Sequence, residues 1–227
     1  MTGRRVVIVG NGGAARECRW ALDLMLRADA RRWRGWRFGG FVAWRGHPGN
    51  LKGEGPLLGT DEEYRPNPGD VLVIGVGAPS LRRAIYEAYG AMGAPFLNLV
   101  HPRAEICPSA RIGEGNIFGR DSAVLNDAKV GNGNYCNGAV AIAHDAEVGD
   151  CNLFGPYGLV LGGARVGSGN AFGPRCTVLD GARVGDGNVV APGSVIYKGC
   201  GSGCRVAGDP AVRLARLDGM SPRGEEG

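Results

Sequence analysis

The sequence is poor in lysine, histidine and aromatic rings. Lysine occurs three times against 23 arginines, histidine three times, and Phe, Trp and Tyr together make up 7% of 227 residues. Three histidines are little material for a zinc site, in which several ligands must converge; no metal is expected. No apolar run approaches the ~20 residues needed to cross a bilayer, so membrane insertion is not expected. Cys-x-x-Cys is missing, and Cys200 and Cys204 stand four apart with no histidine nearby. Seven cysteines, an odd number, with no signal peptide ahead of Val6–Val9, read as reduced thiols in a cytoplasmic protein. A formal charge of +4 makes no case for nucleic acid. Residues 1–37 concentrate arginine against only Glu17, Asp23 and Asp29. A solvated face explains this better than an anionic partner, because arginine is favoured over the whole chain.

Glycine is abundant. The chain has 42 glycines and 13 prolines, a density near that of low-complexity segments. The 44% hydrophobic content opposes disorder, and glycine does not recur at every third residue as collagen requires. The glycines instead follow a longer period. Stepping by six from Ile106 through Ile112, Phe118 and Val124 to Ile196 meets an apolar residue every time. Over this lies an 18-residue signature: Ala110-Arg111-Ile112-Gly113-Glu114-Gly115-Asn116 returns at Ala128, Ala146, Ala164 and Ala182. A six-residue period suits neither a helix nor an ordinary strand. It suits a triangular coil of three short strands per 18 residues, with the apolar residue of each six stacked inward at ~4.8 Å per coil. Five coils, a prism roughly 24 Å long, are expected between Ile106 and Ile196. Gly and Asn are expected to supply the positive φ of its corners.

The first hundred residues read as a small α/β domain with a parallel, Rossmann-like sheet. Val6–Val9, Phe38–Trp44 and residues 71–77 are strands. Helices follow Gly10-Asn11-Gly12-Gly13-Ala14-Ala15 and span Ser80–Met92, leading to Phe96–Val100. Gly10-x-Gly12-x-x-Ala15 is a degenerate dinucleotide fingerprint. The acid that would hold an NAD ribose is replaced by Ala43-Trp44-Arg45. The turn therefore reads either as tight helix packing or as a site for a nucleotide-like ligand other than NAD.

An α/β domain, hexapeptide coils and one well-placed histidine together resemble the sialic-acid O-acetyltransferase family, which includes nucleotide-sugar N-acetyltransferases. The resemblance rests on Gly10–Glu17, His101-Pro102, residues 137–149, the coils and Gly208-Asp209-Pro210-Ala211, and covers about residues 4–214. It implies a left-handed parallel β-helix, the exception to the usual right-handed crossover. It also implies an acceptor-binding domain over 1–100, an acyltransferase domain over 101–217, a flexible tail over 218–227, and a homotrimer with active sites between subunits.

The implied reaction is acetyl transfer from acetyl-CoA to an amino group of a nucleotide-linked sugar, with His144 as general base and Asp145 orienting it. Gly12, Gly13, Ala14 and Asn137 are the implied acceptor contacts. Leu153, Gly162, Gly173, Pro174, Ala191, Pro192 and Gly193 are the implied donor contacts. Of the other histidines, His47 lies in a Gly/Pro loop and His101 precedes Pro102, where a structural role is expected. The separation of His101 from His144 is a multiple of neither six nor 18, which disfavours a metal-dependent hexapeptide enzyme.

Three positions depart from the family's pattern. Ala14 stands where an acceptor-contacting histidine is usual, Trp44-Arg45 where paired acids hold the nucleotide, and Leu153 where a second histidine lies near the acetyl group. The acyl-transfer pair survives better than the acceptor contacts. O-acetylation of a sialic-acid-like sugar or other small molecule, or a catalytically decayed scaffold, stand as alternatives.

Overall fold

A computed structural model describes residues 4–45, 49 and 51–216; His47 and the 218–227 tail lie outside them. The chain opens with a four-stranded parallel sheet of β1 (Arg5–Val9), β2 (Arg37–Ala43), β3 (Leu57–Thr60) and β4 (Asp70–Ile74), in the order β3-β2-β1-β4. Val6–Val9 and all of β4 are buried, as their unbroken β-branched and aliphatic runs require of strands covered on both faces. The edge strand β3, Leu-Leu-Gly-Thr, lacks that signature and has no counterpart in the sequence reading. Helix α1 (Gly13–Ala28) buries Ala15, Cys18, Leu22 and Met25 at helical spacing, and α2 (Pro79–Gly90) buries Arg82, Ile85 and Tyr89.

From Leu99 onward the chain winds through two-residue strands that pair in parallel at intervals of 18 residues, forming the three faces of a prism. The first face carries Arg111, Lys129, Glu147, Arg165 and Arg183 outward. The second carries Ala123, Ala141, Leu159, Thr177 and Val195. The third carries Ile117, Tyr135, Leu153, Ala171 and Val189. The coil extends past both ends of the expected range. Leu99–Val100 pairs with Ile117–Phe118, and Cys204–Ala207 pairs with Val189–Val190 before Val212–Arg216 turns back antiparallel. The inward residues from Phe118 to Ile196 are buried in one continuous core, within which the Phe154 and Phe172 rings stack at 4.9 Å.

The corners are chemically more varied than expected, with Asp, Ala, Cys, Tyr and Arg beside glycine. Positive φ recurs at every sixth residue from Gly115 (φ 69°) to Gly193 (φ 71°), three residues beyond each inward apolar position. Asparagine takes none of these positions. Asn116, Asn134, Asn152, Asn170 and Asn188 each lie just after a corner residue (a glycine, or Cys151 before Asn152) and are wholly buried. Each carboxamide oxygen from Asn116 to Asn170 accepts the backbone N–H of the next asparagine, as in Asn134 N–H to Asn116 Oδ1 at 2.8 Å and Asn152 N–H to Asn134 Oδ1 at 2.9 Å, and Asn188 Oδ1 accepts the Cys204 N–H. The repeated asparagine is thus a hydrogen-bonded ladder that satisfies buried backbone, and not a source of left-handed turns. The repeated glycines also divide. Gly115 and Gly133 supply positive φ, whereas a Cβ at Gly149 would lie 2.9 Å from the Gly167 backbone of the next coil.

Arg82 ties the sheet to the prism. It is wholly buried, and its five N–H groups meet five carbonyls. Nε donates to Gly133 at 2.5 Å, Nη1 to Ile74 and Val76, and Nη2 to Gly115 and Asn134. Burial lowers its pKa to about 10, still well above neutrality. On the same flank, the Tyr135 hydroxyl donates to Glu17 of α1 at 3.1 Å. At the far end of the sheet, Asp70 receives both Arg5 (2.7 and 2.8 Å) and the Tyr64 hydroxyl (2.6 Å). Burial alone would raise the Asp70 pKa, but these hydrogen bonds and the Arg5 charge outweigh it and hold the carboxyl well below the usual range.

Two predictions follow from this packing. Gly149→Ala forces neighbouring coils apart and costs on the order of 3 kcal/mol, whereas Gly163→Ala, at φ 63° with open space around it, costs about 1–2 kcal/mol; chemical denaturation of both variants measures the difference. Because the folded-state pKa of Asp70 is depressed, its contribution is present above the ordinary carboxylate pKa and is lost as pH falls below about 4. Asp70→Asn is therefore less stable at pH 7, and its deficit shrinks on acidification; a constant deficit from pH 7 to pH 2 would contradict this.

Candidate functional site

His144 and Asp145 occupy the corner between the second and first faces. The turn Ala143-His144-Asp145-Ala146 closes through Ala146 N–H to Ala143 O at 3.4 Å, with Asp145 in the left-handed region at φ 59°. Aspartate tolerates that conformation better than most side chains. Here it also brings a carboxylate oxygen 2.9 Å from His144 Nδ1. Both side chains are about two-thirds exposed. With Nδ1 engaged, Nε2 is the nitrogen left to exchange a proton with a ligand.

The ring of His144 lies over Gly162, its equivalent one coil on. A Cβ there would be 2.7 Å from Cε1 and 2.9 Å from Nε2, so glycine makes the room the imidazole occupies. The Gly162 N–H donates to Asp180 in the coil beyond, at 3.2 Å.

Most of the other candidates on the prism lie on another edge. The acceptor candidate Asn137 and the donor candidates Gly173, Pro174, Ala191, Pro192 and Gly193 all belong to the corner between the third and second faces. One outward face, from Ala123 to Val195, separates them from His144 in the same chain. Asn137 is half-buried, its side-chain oxygen accepting the Gly138 N–H at 2.8 Å. Gly173 leaves its missing Cβ to the next coil, since a methyl there would stand 2.7 Å from Pro192 N. Leu153 projects from the third face and packs on the cluster formed by α1 and the sheet, a domain contact that accounts for an apolar residue there.

Gly12, Gly13 and Ala14 line a cavity of about 310 Å³ with Gly10, Asn11, Trp44, Arg45, Gly75, Val76, Gly77 and Leu81. It lies beyond the carboxyl ends of β1 and β4, where the strand order reverses and open α/β sheets commonly bind ligands. The glycines of the turn differ in their surroundings. Gly10, at φ 133°, must lack a Cβ because Gly75 passes beside it, whereas Gly12 and Gly13 have nothing within 4 Å. Neither helix N-terminus has a side-chain cap or a first-turn acid, so the local field favours an anion. Trp44 is buried, with the Arg45 guanidinium 5.7 Å from its ring, and no carboxylate lines the cavity.

A second cavity of about 600 Å³ follows the outer side of α1, lined by Gly13, Arg16, Glu17, Arg19, Trp20, Asp23 and Glu54. It was not legible as a site, because its residues follow an ordinary amphipathic helix pattern. His101 is buried and packs on Trp20 at 5.9 Å, and its Nδ1 accepts the Arg103 N–H, in keeping with a structural role. Among the described residues no cluster of three or more His, Cys, Asp or Glu could hold a metal ion, and no helix is long and apolar enough to cross a membrane.

Residues 163–198 match the family model for bacterial transferase hexapeptide (six repeats). No curated protein matches the chain in sequence. Among solved structures, PerB from Caulobacter crescentus, in complex with CoA and GDP-perosamine, is 26% identical, with 95% of this chain and 99% of that one covered at a TM-score of 0.80. The acetyltransferase domain of PglB from Neisseria gonorrhoeae, in complex with acetyl coenzyme A, is 25% identical over 93% and 100%, also at 0.80. WeeI from Acinetobacter baumannii shares the fold at 20% identity and a TM-score of 0.68. Over nearly its whole length, the chain shares the fold of PerB and of the PglB acetyltransferase domain, a small parallel sheet followed by a β-solenoid of hexapeptide repeats.

Proposed function

We propose that the protein transfers an acetyl group from acetyl-CoA to the amino group of a nucleotide-linked sugar, with His144 as general base. The observation that carries this reading is the exposed His144–Asp145 pair, held at 2.9 Å by the turn that contains both residues. In the reaction His144 Nε2 takes a proton from the amine as its nitrogen attacks the thioester carbonyl. The C–N bond forms, the C–S bond breaks, and the imidazolium returns its proton to the departing thiolate. Asp145 fixes the tautomer and stabilises the imidazolium.

The assignment of the acceptor to the cavity at Gly12–Ala14 is supported by its two uncapped helix N-termini, which suit a phosphorylated ligand. It goes with the division into an acceptor domain over 1–100 and a transferase domain over 101–217. The donor would lie along the edge of Gly173, Pro174 and residues 191–193, with Asn137 on the same edge contacting the acceptor sugar. A site uniting that edge with His144 needs two chains. The outward residues of the intervening face are small or apolar, with Leu159 38% exposed, and favour contact between copies. The reading includes a homotrimer with shared sites, a threefold closure of one heterologous contact. Seven cysteines without a disulfide suit a reducing, cytoplasmic setting.

His144→Ala is expected to lower kcat by about 10²–10⁴-fold without changing the sedimentation of the assembly; full activity would remove His144 from the mechanism. Gly162→Ala pushes the imidazole off its position and lowers kcat about 10- to 100-fold with little change in Tm. Steady-state assays of both variants with acetyl-CoA and a panel of nucleotide-linked amino sugars test the pair.

A further inference from the structure

The corner between the third and second faces repeats one turn three times: Gly155-Pro156-Tyr157-Gly158, Gly173-Pro174-Arg175-Cys176 and Ala191-Pro192-Gly193-Ser194. Proline second and positive φ third is the type II pattern, in which the third position strongly prefers glycine. Gly193 obeys that preference at φ 71°. Tyr157 and Arg175 do not, yet hold φ of 62° and 58°. A left-handed conformation costs a side chain about 1–2 kcal/mol relative to glycine. Neither residue recovers this by burial: Tyr157 is 61% exposed and Arg175 is also on the surface. Their side chains meet each other, the guanidinium 5.8 Å from the phenol ring centroid. Among the described residues Arg175 has no carboxylate partner within ion-pair distance.

Asp121 and Ala139 on the same edge share the left-handed conformation, so what sets Tyr157 and Arg175 apart is the exposed ring stacked beside a guanidinium that lacks a carboxylate partner, a pairing open to an anionic ligand. Tyr157 stands one coil beyond Asn137 and Arg175 two coils beyond, about 5 and 10 Å along the prism. They share the edge of Pro174 and Gly193. We propose that Tyr157 and Arg175 form the anchor for the phosphorylated end of the acyl donor: Arg175 pairs with a phosphoryl group of the CoA nucleotide, and the Tyr157 ring orients the guanidinium while packing beside the pantetheine arm. The inference rests on the acyl-CoA reading above and adds to it the residues that distinguish CoA from an unphosphorylated thiol. A guanidinium presents a planar fork to phosphate oxygens, and a charge-assisted hydrogen bond of this kind is stronger than a neutral one.

Calorimetric titration of the full-length protein with CoA and with pantetheine tests this. Arg175→Gly suits the turn, so the fold is retained and Tm stays level or rises by a few degrees. CoA affinity is expected to fall about 10- to 100-fold while pantetheine affinity is unchanged, and Arg175→Lys recovers part of the loss. Tyr157→Gly raises Tm and weakens CoA binding less. CoA affinity within twofold of wild type in Arg175→Gly would overturn the inference and leave acyl transfer standing. Dissociation of the assembly in that variant would also overturn it, making Arg175 an interface residue. Wild-type protein that binds neither CoA nor pantetheine would remove both this inference and the acyl-transfer reading.

Discussion

The prism depends on one constraint: the backbone must enter the left-handed region at every sixth residue. L-residues resist this, so each corner is a site where the chain must supply a special residue or bear strain. The corner between the first and third faces meets it with Gly115, Gly133, Gly169 and Gly187, with Cys151 the exception. The corner between the second and first faces uses Asp127, Asp145, Gly163 and Gly181. The remaining corner uses Asp121, Ala139, Tyr157, Arg175 and Gly193. Glycine meets the constraint at half of the corners from Gly115 to Gly193, and at the others a side chain is carried in the left-handed region. At Asp145 the conformation that makes the turn also delivers its carboxylate to His144.

The second dependence is the buried guanidinium of Arg82. A charge fully removed from water is tolerated only when every donor is met. Here the five acceptors come from the end of β4 and from successive coils of the prism. That arrangement fixes the cavity at Gly12–Ala14 against the prism, since Val76 both lines the cavity and accepts from Arg82. Tyr135–Glu17 and the packing of Leu153 secure the same flank, leaving the Ala123–Val195 face uncovered. The charged ladder on the first face, where Glu147 sits 2.7 Å from Lys129, is also left to solvent.

Much of this was legible beforehand, for identifiable reasons. The sixfold apolar period is a direct image of inward side chains, so the core from Phe118 to Ile196 could be named residue by residue. β1, β4 and both helices announced themselves by buried runs and helical spacing. β3 did not, because four residues at a sheet edge carry no period. The repeated asparagine was visible, but its role was not: side-chain oxygens accepting across coils depend on register, which a one-dimensional pattern does not contain. Arg82 read as one more arginine in an arginine-rich chain. Leu153 stood out only by comparison with a family pattern, and its apolar surroundings account for it more simply.

The sequence by itself determined the coil, the inward residues and the outward histidine that precedes an acid, because period and residue type suffice to place a side chain inside or outside a regular solenoid. Only the tertiary structure decided which edge each candidate occupies. His144 and the Asn137–Gly193 edge flank one face and cannot meet within a chain, and Tyr157 and Arg175 are paired by stacking of coils 18 residues apart. Those relations arise from three-sided winding and from the buried contacts that seat the α/β domain on one face, and neither is written in any local stretch of residues.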